Sequence, residues 1–236
     1  MSEAVIWHDI ECGGYRRDLP VWRRLAAEAD GPVLDVGAGT GRTSLDLASR
    51  GVQVTALDVD AELLAALKER ARAQGLEVAT VCADARDFRL DERFALIIVP
   101  MQTLQLLGGA EGRRAFFECA VSHLEPGGRL AAAIVDKLET FDGSAYGLPE
   151  PDRDEVDGHV YTSTPLAVVD EGERTALHRL RRIDGGEPVR DVVHLDRVTV
   201  GGLEREGASV GLTPEPPITI PPTPEHVGST VVMWHA

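Results

Sequence analysis

Three acids and three glycines stand where they could hold a small charged ligand. Gly37, Gly39 and Gly41 sit two apart in VLDVGAGTGRTSLDLASRG, residues 33–51, and Asp35 lies two residues before the first of them. A glycine turn between a strand and a helix lets a ligand come close to the backbone, because no Cβ intervenes and positive φ is allowed. Asp58 follows in ALDVD, and Asp84 closes the run VCAD.

The pattern excludes two common ligands. A dinucleotide turn reads G-x-G-x-x-G, and its third glycine would fall at Arg42. A phosphate-binding loop ending in Lys-Ser/Thr is absent as well. An acid as close to the turn as Asp35 would repel a pyrophosphate and suits a ligand that carries positive charge.

Elements that could position these residues follow from periodicity. PVLDVG (32–37), VQVTALDVD (52–60), LEVATVCAD (76–84), FALIIVP (94–100) and RLAAAIVD (129–136) read as strands. Helical spacing lies between them, in GRTSLDLASR, in AELLAALKERARAQ with Asp60 as its N-cap, and in AEGRRAFFECAVSHL. Trp22, Leu25, Ala26 and Ala29 give an earlier helix over 18–30. Alternation of this kind predicts a parallel sheet with helices on both faces, and strands as apolar as ALIIV agree. The three acids would then share one sheet edge, where open α/β folds bind ligands.

Beyond residue 136 the pattern changes. Residues 147–158 read as an acidic, proline-bearing loop, and roughly 159–200 as a three-stranded antiparallel meander joined by DEGE and DGGE. Residues 201–212 predict a short helix weakened by glycines, PPITIPPT a sheet edge or irregular link, and VGSTVVMWHA a strand.

The sequence resembles the class I S-adenosylmethionine-dependent methyltransferases, small-molecule type. VLDVGAGTG matches their first motif, and ALDVD, CADARDF, VPMQTLQ and LEPGGRLAAAI follow in the family's order. The resemblance covers roughly residues 30–136 well, is weaker over 1–30 and weak over the meander. It implies a Rossmann-like, doubly wound α/β fold with a seven-stranded, mostly parallel sheet, order 3-2-1-4-5-7-6. The antiparallel meander would be an insertion after strand five. The whole of 1–236 would be one domain: an N-terminal cap segment (1–30), a cofactor core (31–136), the insertion (137–200), and a C-terminal helix and strands (201–236) completing the sheet. The implied cofactor is S-adenosyl-L-methionine, leaving as S-adenosyl-L-homocysteine. The turn residues Gly37, Ala38, Gly39 and Gly41 would approach its methionine portion, with Asp35 organising the amino group. Asp58, with Val59, would bind the ribose hydroxyls, Asp84 the adenine amino group, and the backbone NH of Ala85 a ring nitrogen. Pro100 would border the transferable methyl.

Methyl transfer is an in-line displacement at a sulfonium carbon, so a protein base is needed only when the nucleophile arrives protonated. The family's nucleobase-amine enzymes carry Asn/Asp-Pro-Pro-aromatic at the end of strand four. Val99-Pro100-Met101-Gln102 departs from that, which with the charge argues against a nucleobase substrate; the expected acceptor is a small molecule bearing an N or O nucleophile. Gln102 is either a substrate contact or a structural hydrogen bond at the strand end. Tyr15 is either a residue folded over the cofactor or a half-buried surface aromatic. His159, which opens the meander, is a base or a structural histidine; His8, His178 and His194 stand behind it. Arg16 and Arg17 are solvated or hold an anionic group. Strand five ends at the cofactor edge, so the insertion is expected to cap the site or to form a dimer surface.

Composition bounds the rest. A net charge of −15 argues against nucleic acid, the basic run 177–183 reading as one face of a surface strand. Cys12, Cys82 and Cys119 make no disulfide framework and point to a reducing cytoplasm. No metal-binding cluster, secretory signal or membrane-length apolar run is present in the sequence. The expected protein is cytoplasmic, and a monomer or a homodimer through the insertion. A protein-side-chain methyltransferase and a catalytically silent cofactor-binding subunit are the alternatives.

Overall fold

A computed structural model describes residues 1–143, 147–223 and 226–236. The chain forms two compact units: residues 15–136 with 198–236, and residues 1–14 with 137–197.

The first unit is built on a seven-stranded sheet. Its strands are β1 (Val33–Val36), β2 (Val54–Asp58), β3 (Ala79–Cys82), β4 (Phe94–Val99), β5 (Leu124–Ile134), β11 (Thr213–Ile220) and β12 (Ser229–His235), in the order β11-β12-β5-β4-β1-β2-β3. The first five run parallel, and β12 and β11 return antiparallel. This is the expected order, with β11 and β12 as the last two strands. β11 lies at the edge, where Pro214, Pro216 and Pro217 remove no ladder bond that the fold needs.

Alternate residues of the central strands enter two different cores. Leu34, Val36, Ile97, Val99, Leu130, Ala132, Val232 and Trp234 pack on one face beneath α5 (Gly109–His123) and α6 (Val200–Ala208). Val33, Leu96, Ile98, Ala131, Ala133 and Met233 pack on the other, with Trp22 and Leu25 of α2 (Leu19–Glu28) and Leu47 of α3 (Arg42–Ala48). Burial on both faces is why these strands are apolar without a gap. α4 (Ala61–Ala73) sets Leu64 and Leu67 against Ala38 and Ala56, and Asp60 caps it, accepting from the amides of Glu62 (2.8 Å) and Leu63 (3.2 Å). In β1, Asp35 alternates with Leu34 and Val36 and so belongs to the α2–α3 face, fully buried.

The second unit holds an antiparallel sheet in the order β10-β9-β8-β6, with β7 also on β8. β8 (His159–Asp170), β9 (Arg174–Ile183) and β10 (Val189–Asp196) are the expected meander. The loop expected over 147–158 is corrected in part: Asp152–Val156 is β7, and a short β6 (Phe141–Asp142) precedes it. Asp157 and Gly158 both take positive φ, 53° and 82°, the pair that a tight type I′ hairpin requires. β7 is polar but for its last residue, Val156, so no apolar alternation announced it.

In the same unit, α1 (Glu3–His8) and a π-helical turn (Asp9–Gly13) pack on the sheet, Trp7 meeting Tyr161 edge-on at 5.2 Å. Glu11 accepts from Ser163 Oγ (2.6 Å) and from the Arg181 fork (2.8 and 2.7 Å). Burial pushes this carboxyl up, but the Arg181 fork and the Ser163 hydroxyl outweigh it and hold Glu11 below the usual range.

Candidate functional site

The glycine turn leaves β1 at Val36. Gly37, Gly39 and Gly41 all have positive φ, 73°, 55° and 95°. Space as well as φ demands glycine at two of them. A Cβ on Gly37 would come within 2.5 Å of Thr103 Cγ2 and Oγ1, and one on Gly41 within 2.7 Å of Leu67 Cγ. The turn is tied to the end of β2, since the Gly37 and Ala38 amides donate to the Leu57 carbonyl at 2.8 and 3.1 Å.

The three acids stand at the C-terminal ends of, or just beyond, β1, β2 and β3, along one edge of the parallel ladder. Asp58 binds the turn directly: its Oδ2 accepts from the Gly39 amide (2.8 Å) and its Oδ1 from the Asp60 amide (2.9 Å). A carboxylate has about four lone-pair sites, so two stay open to donors from a ligand. Val59 beside it is 72% exposed.

Asp35 differs in kind. Its Oδ2 accepts from Ser44 Oγ at 2.6 Å, whereas its buried Oδ1 has no hydrogen-bond partner among the described residues. Burial pushes its carboxyl up to about 6; the Ser44 hydroxyl and Arg42 pull it down, and the charges of Asp58 and Asp18 push it further up. A buried carboxylate oxygen without a donor favours a cationic partner.

Asp84 is already engaged. Arg86 grips it with Nε at 2.9 Å and Nη2 at 2.6 Å, and the Arg86 amide adds 2.8 Å. That fork, then the amide, hold Asp84 below the usual carboxylate range. Both partners are well exposed.

β4 ends at Val99, and Pro100 starts a sharp reversal in which Met101 takes a φ of 57°. Left-handed backbone at a non-glycine residue costs about 1–2 kcal/mol. A 3-10 turn, Thr103–Leu106, follows. Thr103 Oγ1 donates to the Pro100 carbonyl (3.2 Å) and abuts Gly37. Gln105 is buried and brackets Val135, donating to its carbonyl (3.2 Å) and accepting from its amide (2.8 Å). Gln105 thereby fixes the end of β5 one residue before the chain leaves this unit at 136.

Residues 33–128 match a family model described as a methyltransferase domain. Over those residues the chain is similar to the methyltransferase domain family. A cypemycin N-terminal methyltransferase of a Streptomyces species is 33% identical over 122 residues, 51% of this chain and 49% of that protein. A ubiquinone biosynthesis O-methyltransferase of Coxiella burnetii is 31% identical over 119 residues, 48% and 50% of the two chains. The chain spans about half the length of these curated relatives. Among solved structures, the sugar N-methyltransferase KedS8 from Streptoalloteichus has a TM-score of 0.73 over 98% of this chain and 92% of that one, at 18% identity, a likeness of fold.

The remaining expected residues lie as follows. Tyr15 is in the parallel-sheet unit, its ring edge-on to His226 at 5.0 Å and beneath the Arg42 guanidinium at 5.4 Å. Burial pushes its phenol above the usual tyrosine value, against a hydrogen bond to Ser229 that lowers it. Gln102 caps the 3-10 turn, half-buried. Ala85 follows Asp84 beyond β3, and Pro100 follows β4, on the same sheet edge as the acids. His159 belongs to the other unit, exposed on β8, where a 2.7 Å bond to Asp184 raises its pKa. His178 and His194 lie on β9 and β10, and His8 ends α1. Among the described residues no cluster is placed to hold a metal, and no helix is long and apolar enough to cross a membrane.

Three residues near this edge escaped the sequence reading. Ser44 holds Asp35 from two residues inside α3. Asp18 meets Arg42 in a buried fork, at 2.6 and 2.7 Å. Gln105, not Gln102, is the buried glutamine of MQTLQ. Only Asp18 carried a signal, as an acid heading a Leu-Pro helix start.

Proposed function

We propose that this chain binds S-adenosylmethionine along the C-terminal edge of its parallel sheet and methylates an N or O nucleophile of a small molecule. One observation carries the reading: Asp35 keeps a buried, donorless oxygen beside a glycine turn whose amides are tied to β2. That donor set fits a cofactor with an ammonium group. Asp35 would take the ammonium, the two open sites of Asp58 the ribose hydroxyls, and Asp84 with the Ala85 amide the adenine. When bound, the cofactor supplies an electrophilic methyl on a sulfonium, with thioether as the leaving group. The chain's part is to orient and to exclude water. Gly37 and Thr103 bring the turn and the loop after β4 together, so Pro100, Met101 and Gln102 border the same edge. Gln102 and Tyr15 are the proposed acceptor contacts there, and His159 is a proposed base. The exit of the chain at the end of β5 supports a part for residues 137–197 in acceptor choice, or in forming a homodimer.

The acceptor class rests on the relatives' names, an O-methyltransferase of ubiquinone biosynthesis and a sugar N-methyltransferase. A second reading, a peptide amine acceptor, draws on the N-terminal methyltransferase among them. Calorimetry with S-adenosylhomocysteine tests the cofactor site. Asp58→Ala is expected to weaken binding by about 1–3 kcal/mol, as for a lost charged hydrogen bond. Unchanged affinity removes the ribose assignment. Radiolabelled transfer from S-adenosylmethionine to a panel of amines, phenols, amino sugars and short peptides tests the rest. Tight cofactor binding with no transfer to any of them favours a silent binding subunit.

A further inference from the structure

Arg42 stands at the head of α3, immediately after the last glycine of the turn, and what it grips is unusual. Both of its terminal nitrogens are spent on Asp18, Nη1 to Oδ1 at 2.6 Å and Nη2 to Oδ2 at 2.7 Å. Nη1 also donates to the Tyr15 carbonyl at 2.9 Å. The two side chains are 7% and 1% exposed. Asp18 is the N-cap residue of α2, yet its carboxylate makes no capping bond. An aspartate at that position ordinarily stabilises a helix by about 1 kcal/mol through its own amides. Here it is turned to Arg42 and to Trp22 Nε1, at 2.8 Å.

A buried ion pair of this kind adds little net stability, because desolvation cancels most of the attraction; apolar residues of the same volume would hold α2 as well. What it adds is geometry. It joins three segments at the edge that carries the acids: residues 15–18, the first turn of α3, and, through the Tyr15 hydroxyl on Ser229 and the Tyr15 ring on His226, the start of β12. Thr230 pairs with Ile134, so the start of β12 lies at the C-terminal end of β5.

We propose that Arg42 and Asp18 form a clamp that positions the amino-acid end of the cofactor, Arg42 fixing the first turn of α3 so that Ser44 meets one oxygen of Asp35 and the other is left for the ligand's ammonium. This rests on the cofactor reading above and extends it to two residues outside the glycine turn. Arg42 is a positioning residue: it acts through Ser44, Tyr15 and the local charge. The charged groups facing Asp35 are Arg42 from α3, Asp58 from the end of β2 and Asp18 from the head of α2. Arg42 is the cation among them, so its loss leaves Asp35 with two acids and raises the pH needed to ionise it.

The test is S-adenosylhomocysteine binding by calorimetry from pH 5 to 8, on the full chain, with thermal unfolding alongside. Arg42→Met removes fork and charge. It is expected to weaken binding about tenfold at pH 6 and to move the pH midpoint of binding up by about half a unit or more. Arg42→Lys keeps the charge and loses the fork, so it should bind several-fold more weakly with the midpoint unmoved. Arg113→Met is the control. It breaks another buried fork of the same unit, Arg113 with Glu206 at 2.8 and 2.7 Å, which joins α5 to α6. It should lower the unfolding temperature and leave both affinity and midpoint alone. The clamp is overturned if Arg42→Met binds as wild type at every pH while unfolding as early as Arg113→Met. Should Arg42→Met fail to fold, Arg42→Lys decides, and wild-type affinity throughout overturns the proposal. Failure of the wild-type chain to bind S-adenosylhomocysteine or S-adenosylmethionine would instead remove the cofactor reading itself.

Discussion

Gly37→Ala isolates how tightly the glycine turn is built. Two separate costs arise. A residue with a Cβ at φ 73° pays about 1–2 kcal/mol for left-handed backbone. Its methyl would also lie 2.5 Å from Thr103 Cγ2 and Oγ1 and 3.0 Å from Thr103 Cβ, well inside contact distance. Overpacking of that order costs about 1–3 kcal/mol. The total is roughly 2–5 kcal/mol, which for a chain of this size lowers the melting temperature by roughly 10 °C. Gly51 separates the costs. It has φ 81° and open space where a Cβ would stand, so Gly51→Ala pays the backbone cost alone. Adding Thr103→Ala to Gly37→Ala removes the two atoms at 2.5 Å and leaves the one at 3.0 Å. It should return most of the packing cost and none of the backbone cost. Urea unfolding of the four corners of this cycle should therefore give a coupling of about 1–3 kcal/mol between positions 37 and 103. A coupling of zero, or Gly37→Ala no worse than Gly51→Ala, refutes the claim that the loop after β4 backs the turn.

Asp35 predicts a pH dependence. Folded, it titrates at about 6 against 3.8 when unperturbed, so between those values the folded state binds the proton better. Its contribution to stability is complete below about pH 4 and declines as pH rises through 6. Asp35→Asn is expected to stabilise the cofactor-free protein at pH 7 by roughly 1–3 kcal/mol in urea unfolding, to flatten the slope between pH 4 and 7, and to weaken S-adenosylhomocysteine binding. A destabilised variant with the slope intact would contradict this. Gly207→Ala drives a methyl into the buried indole of Trp234, whose Nε1 has no partner among the described residues. It should cost about 1–3 kcal/mol and leave cofactor affinity of the folded protein unchanged. Gln105→Leu strands the amide and carbonyl of Val135 and should cost about 2–4 kcal/mol, read from the urea midpoint.

The residues legible in the sequence are those whose chemistry is local. The glycine turn, Asp35, Asp58 and Asp84 each sit at a strand end, and strand ends follow from apolar runs. The parallel sheet followed from β–α alternation, which leaves few topologies, and its strand order from the family resemblance. What escaped depends on pairs far apart in the chain. Asp18 and Arg42 are 24 residues apart and Gln105 and Val135 are 30, and neither spacing carries a periodic signal. Gln102 and Gln105 are equivalent on paper; the reversal at Met101 and the 3-10 turn decide which is buried.

Asp84 is the instructive middle case. Arg86 lies only two residues away, and spacing alone does not say whether an exposed pair forms. It does form, with side chains 40% and 48% exposed, and such a pair contributes only about 0–1 kcal/mol. An adenine amino group could therefore displace the guanidinium at small cost, and added salt would ease the exchange. Asp35 has no such latitude, because burial and not a mobile partner sets its state. Two acids on one sheet edge, with β2 between their strands, thus answer to different variables, Asp84 to ionic strength and Asp35 to pH. Binding measured across both should resolve them without a mutation.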